Sequence, residues 1–169
     1  MVSAHLNRRN LLAGITALGC APRLAFANAY VDLQWSDLVP DGQRVLPPLL
    51  QGLIDHDQPP LSNLQPVSTG VRTDWDRQTV RLPGFIVPID YSGTGVTAFI
   101  LVPFVGACVH VPPPPANQLV FVTTDEPYEN TGLFERVNVI GRFGVSSMST
   151  ELAEIAYSLT AERIDPFRA

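Results

Sequence analysis

The stretch Val80-Arg-Leu-Pro-Gly-Phe-Ile-Val-Pro-Ile-Asp90 marks the point at which this chain changes from an irregular to a strand-like pattern. Within it Phe85, Val87 and Ile89 alternate with their neighbours, as side chains do on the two faces of a β-strand. Its prolines cannot donate to a strand ladder, and Gly84 has no side chain to pack. We therefore expect a bulged strand, or one that is paired on one side only.

Four further strand-like runs follow this stretch. Residues 96–102 are almost wholly apolar, which indicates a strand covered on both faces, and residues 92–95 form the turn that precedes them. The other runs are residues 118–123, 135–145 and 157–164. Gly141 marks a bend in the fourth strand. Ser149 is placed to cap a short helix over residues 150–156.

Five short strands with hairpin-like spacing and one brief helix predict a mainly β domain over residues 77–169. We expect a small five-stranded OB-like antiparallel barrel, with a small β-sandwich as the alternative. A closed barrel removes the sheet edges that such a chain would otherwise expose. Residues 30–76 are proline-rich and mostly irregular, with Trp35, Leu38 and Val39 as a small apolar anchor.

Residues 1–29 have the features of an export signal. Arg8 and Arg9 form a twin-arginine pattern, an apolar run follows, and small residues up to Ala29 offer cleavage sites. We therefore predict twin-arginine export and a periplasmic or exported location. Cys20 follows small residues and is an alternative lipidation site, which would anchor the protein to a membrane.

The balance of charges excludes some partners. All 11 basic residues are arginine, and three of them lie in the export signal, so eight remain against 16 acidic residues. Nucleic-acid binding requires a basic surface, and so does attraction to anionic lipid. We therefore expect no nucleic acid, neither DNA nor RNA, as a partner, and membrane contact only through a lipid on the cysteine of the signal.

Chemically reactive groups concentrate at Cys108 and His110, just before four consecutive prolines. If residues 107–111 are extended, these two side chains share one face. Thiolate and imidazole are ligands that zinc and copper prefer, so we predict a metal site with zinc as the first choice. We expect Asn117 and Gln118, which follow the prolines, to hydrogen-bond back to this loop.

Two residues do not complete a zinc site, which needs three or four ligands. His56 and Asp90 are further candidates. Alternatively, Cys108 is a small buried hydrophobic residue and His110 a hydrogen-bonded residue at the rim. A thiol enzyme in which the histidine activates the cysteine is a second hypothesis, but the pattern lacks a second cysteine and a group that orients the histidine. A third is a non-catalytic interaction module that presents the prolines to a membrane partner.

The stretch Gly106-Ala-Cys-Val-His-Val-Pro-Pro-Pro-Pro-Ala-Asn-Gln118 closely resembles the signature of a bacterial family catalogued as domain of unknown function 3299. Three other segments are similar to parts of that family: residues 35–40, 80–90 and 146–166. The resemblance covers most of the chain after the signal, except roughly residues 41–76. It implies a secreted or lipid-anchored envelope protein, and an association of some members with zinc handling and export-type ABC systems. On that ground we expect Cys108 and His110 to bind zinc in a carrier or an accessory of an envelope transporter.

Overall fold

The computed structural model describes residues 30–42, 65–68, 70–109 and 112–167. Residues 1–29, which contain the predicted export signal and Cys20, lie outside these ranges, and so do His56 and His110; the expectations about them stay predictions. In the part that the structure describes, no helix has the length and apolar character needed to cross a membrane.

Six strands and two 3₁₀ turns make up the regular structure of the described residues. The strands are β1 (Val31–Asp32), β2 (Thr79–Ser92), β3 (Gly95–Val102), β4 (Val120–Tyr128), β5 (Arg136–Ser149) and β6 (Glu154–Pro166). The turns are Trp35–Leu38 and Ala116–Gln118. β2 to β6 are the five strands predicted from the sequence, with shifted boundaries.

The five long strands close into a barrel in the order β2–β3–β4–β6–β5, and β5 returns to β2. β4 and β6 are parallel neighbours, whereas the other pairs in the ring are antiparallel. The predicted OB-like barrel is therefore confirmed, with one parallel junction, and the sandwich alternative is not formed. β1 lies outside the ring and pairs in parallel with the start of β2.

β2 closes the ring because it serves two neighbours in succession. Its first half pairs with β5 and its second half with β3, and Phe85 takes part in both ladders. The ladder with β3 shifts between Pro88 and Asp90, which confirms the predicted bulge. At Gly84 a Cβ would lie 2.7 Å from the Cγ of Leu101, so a side chain at this position would have to displace that of Leu101.

The ladder between β5 and β6 bends at Gly141, as the sequence predicts. The pairing shifts by one residue between Ile140 and Gly141. A Cβ on Gly141 would lie 2.1 Å from the carbonyl oxygen of Thr160. The two backbones therefore approach more closely here than any residue with a side chain would allow.

The helix predicted over residues 150–156 is wrong. Thr150 begins a tight turn instead: its hydroxyl oxygen accepts the N–H of Ala153, and its own N–H donates to the carbonyl of Ala153, both at 3.0 Å. β6 then begins at Glu154. A helix of about two turns is too short to be stable alone, whereas the extended form lengthens the β5–β6 ladder and buries Ile155.

Two apolar clusters form on the two faces of the barrel wall. The inner cluster fills the barrel and includes the rings of Phe99, Phe143 and Tyr157. The outer cluster includes Ile100 and Val102, the alternate residues of β3. β3 is therefore buried on both faces, which its almost wholly apolar sequence predicts.

The described pieces of the N-terminal segment pack against the barrel. Leu38 and Val39 are buried, and Trp35 Nε1 donates to a carbonyl of β2 at 2.7 Å, which confirms the predicted anchor. Tyr157 of β6 holds two of these pieces together. Its hydroxyl donates to the carbonyl of Leu38 at 2.9 Å and accepts the N–H of Arg72 at 2.7 Å.

Candidate functional site in the signature loop

The connection from β3 to β4, residues 103–119, carries the cysteine and the prolines and is called the signature loop below. It folds back over the outer face of the barrel wall. Phe104, Ala107, Cys108 and Val109 pack in the outer cluster with side chains of β2, β3 and β6. The loop therefore shields apolar surface of the barrel that would otherwise face water.

Cys108 lies within this outer cluster, and its exposed fraction is 3%. The N–H of Val109 donates to the carbonyl of Gly106 at 3.3 Å, and Cys108 itself has a left-handed φ of 65°. The extended conformation expected for residues 107–111 is therefore wrong at Cys108. Two residues share a face of a strand only if the backbone between them is extended, and the left-handed conformation of Cys108 interrupts that alternation. The spacing of Cys108 and His110 therefore does not place them on one face.

Burial raises the pKa of the Cys108 thiol to about 12. The thiolate, and not the thiol, is the nucleophile and the metal ligand. With such a pKa, the thiol is almost entirely protonated at pH 7. In this conformation Cys108 therefore has the properties of a small buried hydrophobic residue.

The other candidate metal ligands are not brought together by the described residues. Asp90 is exposed on β2, where its carboxylate accepts the N–H of Tyr91 at 2.8 Å. Across the described ranges, no group of three or more His, Cys, Asp or Glu side chains is placed to hold a metal ion. His110 and His56 lie outside those ranges, so zinc binding by Cys108 and His110 stays a prediction.

The proline run is held against the body of the protein. Pro113 and Pro114 are buried, so the four prolines do not present a continuous docking ridge. The side-chain amide of Gln65 donates to the carbonyl of Pro114 at 2.9 Å and to that of Glu154 at 2.8 Å, and its oxygen accepts the N–H of Glu154 at 2.8 Å. The run therefore acts as a rigid connection that fixes the start of β4.

Asn117 and Gln118 are buried amides that bind the N-terminal segment. Asn117 Nδ2 donates to the carbonyl of Gly70 at 2.9 Å, and Gln118 Nε2 donates to that of Trp35 at 2.8 Å. Of the bond back to the loop that we expected, the described residues show the one from Gln118 Nε2 to the carbonyl of Asn117, at 3.0 Å. The main role of these amides has no signal in the sequence, because their partners are remote in the chain.

Two exposed apolar side chains adjoin residues that pack on the outer cluster. Val105 of the signature loop is 60% exposed, and Leu133, between β4 and β5, is 51% exposed. The residues next to them, Phe104 and Phe134, are half-buried and pack on the outer cluster. Neither of these two residues was among the candidates that the sequence indicated. The sequence does contain one indication of their exposure: Val105 and Leu133 each adjoin a glycine that lies in a turn.

The fold and this loop define a class of protein: a small OB-like barrel whose outer face is covered by a proline-stiffened loop. The chain belongs to the family of proteins of unknown function called DUF3299, whose model matches residues 35–166. The family model also matches residues 41–76, which contain none of the segments on which the resemblance in the sequence rests. No curated protein matches the chain.

A solved structure is similar over nearly its whole length. It is the crystal structure of a DUF3299 family protein from Pseudomonas aeruginosa PAO1, which is 36% identical to this chain. The match covers 83% of this chain and 98% of the other, with a TM-score of 0.71. The compared part is longer than the barrel alone.

Proposed function

We propose that this protein is an exported envelope protein that acts as a non-catalytic interaction module and binds a membrane-complex partner beside the signature loop. The observation that carries the proposal is the exposure of Val105, in the signature loop, and of Leu133, whose neighbour Phe134 packs on the same outer cluster as the loop. An exposed apolar patch rimmed by polar residues marks a protein–protein contact site. The neighbouring aromatic rings of Phe104 and Phe134 extend the apolar area.

The packing of the described part of the loop supports this use. Buried Pro113 and Pro114, the three hydrogen bonds of Gln65 and the outer cluster beneath hold the backbone of these residues. A surface that is already ordered loses little conformational entropy when a partner binds, so more of the contact energy appears as affinity. A thiol enzyme is less well supported, because burial keeps Cys108 protonated.

Photo-crosslinking in the native envelope tests the proposal. A benzoylphenylalanine at position 105 or 133 is expected to give the same protein adduct, whereas one at Val31, which is 38% exposed on β1, gives none. Val105→Ser together with Leu133→Ser should then prevent co-purification of that partner, and Val31→Ser should not. Adducts of equal yield at all three positions, or no adduct at 105 and 133, would remove the basis for an interface here.

A second candidate is the zinc carrier or transporter accessory that Cys108 and His110 suggest. One observation favours it: Cys108 is a non-glycine residue in the left-handed region, and such strained residues cluster at functional sites. Zinc must displace the thiol proton, so binding should strengthen as pH rises. We expect a zinc titration to show stoichiometric binding that both Cys108→Ser and His110→Ala abolish. Binding that neither change affects would dismiss this candidate.

A further inference from the structure

A cleft opens where β4 and β6 separate. The two strands pair from Val120 and Tyr157 up to Thr124 and Ala161. Beyond that point β4 continues to its own end, and β6 continues to pair with β5 on its other side. The space between them has a volume of about 480 Å³. It lies at the opposite end of β4 from the signature loop.

The separation is built into the path of β4. Ala98 of β3 pairs with Thr123, but Val96, two residues earlier, pairs with Tyr128. Residues 124–127 therefore bulge out of the β3–β4 ladder. Pro127 packs against β3 so tightly that a Cβ on Gly95 would lie 2.5 Å from the proline Cβ. The bulge draws β4 away from β6 and leaves the barrel wall open at this end.

The edge of β6 that borders the cleft has backbone groups available for a new ladder. The N–H of Phe167 donates to the carbonyl of Arg136, so in this antiparallel pair Ile164 occupies a non-hydrogen-bonded position opposite Val139. The N–H and C=O of Ile164 consequently point away from β5, into the cleft. An exposed strand edge of this kind is a template for an extended peptide.

The charges around the cleft are mainly negative. Asp125, Glu126 and Glu162 line it and are exposed. The arginine among the described lining residues, Arg163, is already paired with Asp165 at 2.9 Å. Electrostatic attraction to the cleft is therefore strongest for a ligand with a positive net charge.

We propose that this cleft binds an extended, basic segment of a partner protein, which adds as a strand to the edge of β6. The backbone of the segment pairs with Ile164, and its lysine or arginine side chains approach the carboxylates of Asp125, Glu126 and Glu162. The site is separate from the signature loop, so it does not depend on the function proposed above.

Selection from a randomised dodecapeptide display library on the full chain tests the proposal. Enriched peptides should have a positive net charge, and one of them, labelled with fluorescein, is then titrated by fluorescence anisotropy. Asp125→Arg combined with Glu162→Arg should weaken its binding by at least about tenfold. Asp90→Arg combined with Glu151→Arg, a matched double reversal at exposed sites that do not line the cleft, should change the affinity by less than about twofold.

A backbone test on the unaltered protein separates strand addition from simple charge attraction. N-methylation of alternate residues of the selected peptide should abolish binding for one of the two alternating sets only, because a strand donates to one neighbour with every second N–H. The proposal is overturned if selection yields no enrichment, if the enriched peptides are neutral or acidic, if both charge reversals have equal effects, or if both methylated sets bind.

Discussion

Replacing Tyr157 by phenylalanine removes one oxygen from a fully buried side chain and tests how the N-terminal segment is held. The hydroxyl donates to the carbonyl of Leu38 at 2.9 Å and accepts the N–H of Arg72 at 2.7 Å. The ring packs against Phe143 with centroids 5.1 Å apart, and that contact is kept. The change therefore breaks two hydrogen bonds and leaves almost no cavity.

The expected loss of stability depends on whether each former partner of the hydroxyl can bind water in its place. A buried hydrogen bond contributes about 1 kcal/mol net, and a buried group left unpaired costs about 1–3 kcal/mol. Leu38 is fully buried, so its carbonyl bears that cost, whereas Arg72 is partly exposed and its N–H regains water. We expect Tyr157→Phe to lower the free energy of unfolding by about 2–3 kcal/mol, a large share of the about 5–15 kcal/mol typical of a domain.

Urea denaturation followed by tryptophan fluorescence measures this loss, and hydrogen exchange locates it. The Arg72 amide should exchange faster in Tyr157→Phe, because its acceptor is gone. Tyr128→Phe is the matched control: its hydroxyl donates to Glu135 at 2.9 Å in a half-buried position, so we expect a loss of about 1 kcal/mol or less. A Tyr157→Phe protein within about 0.5 kcal/mol of wild type, with unchanged exchange at Arg72, refutes the reasoning.

Three further predictions concern Gly141 and Cys108. Gly141→Ala should lower the free energy of unfolding by about 3 kcal/mol or more, since backbone atoms of β6 occupy the space of the new methyl group; a thermal melt like that of wild type would contradict this. Iodoacetamide should alkylate native Cys108 at least about 100-fold more slowly than the urea-unfolded chain, because the thiol is buried and protonated; similar rates would argue for an accessible thiolate. Above pH 9 the unfolded thiol ionises while the folded one, with a pKa of about 12, does not, so stability should fall between pH 9 and 11. The free energy of unfolding should fall more steeply with pH in the wild type than in Cys108→Ala, by up to about 1.4 kcal/mol per pH unit. Equal slopes of the two proteins under reducing conditions would show that the thiol is not shielded from solvent.

The local parts of the fold were predictable from the sequence. Alternating apolar residues indicated the five barrel strands, and the proline and glycine positions in β2 and at Gly141 indicated where ladders shift. These signals arise from neighbours in the chain, because side-chain alternation and the missing proline N–H act within one strand. The helix expected over residues 150–156 failed where pairing with β5 outweighed a capping signal.

The candidate site was less predictable. Spacing alone put Cys108 and His110 on one face, but this holds only for an extended backbone, and a turn at Cys108 interrupts it. The partners of Asn117 and Gln118 are carbonyl groups of the N-terminal segment, which no local pattern indicates. The cleft between β4 and β6 also had no sequence signal, since it depends on how two strands diverge after pairing.

By itself the sequence determined a mainly β chain, the positions of its strands and bulges, and membership in a family that shares its central motif. Only the tertiary structure decided that β4 and β6 pair in parallel, that Cys108 is buried in the outer cluster, and that two buried amides bind the N-terminal segment. The physical reason is the distance along the chain over which each kind of interaction acts. Strand propensity and steric restrictions act over a few residues, whereas burial and hydrogen bonding between distant segments depend on the closed barrel that brings them together.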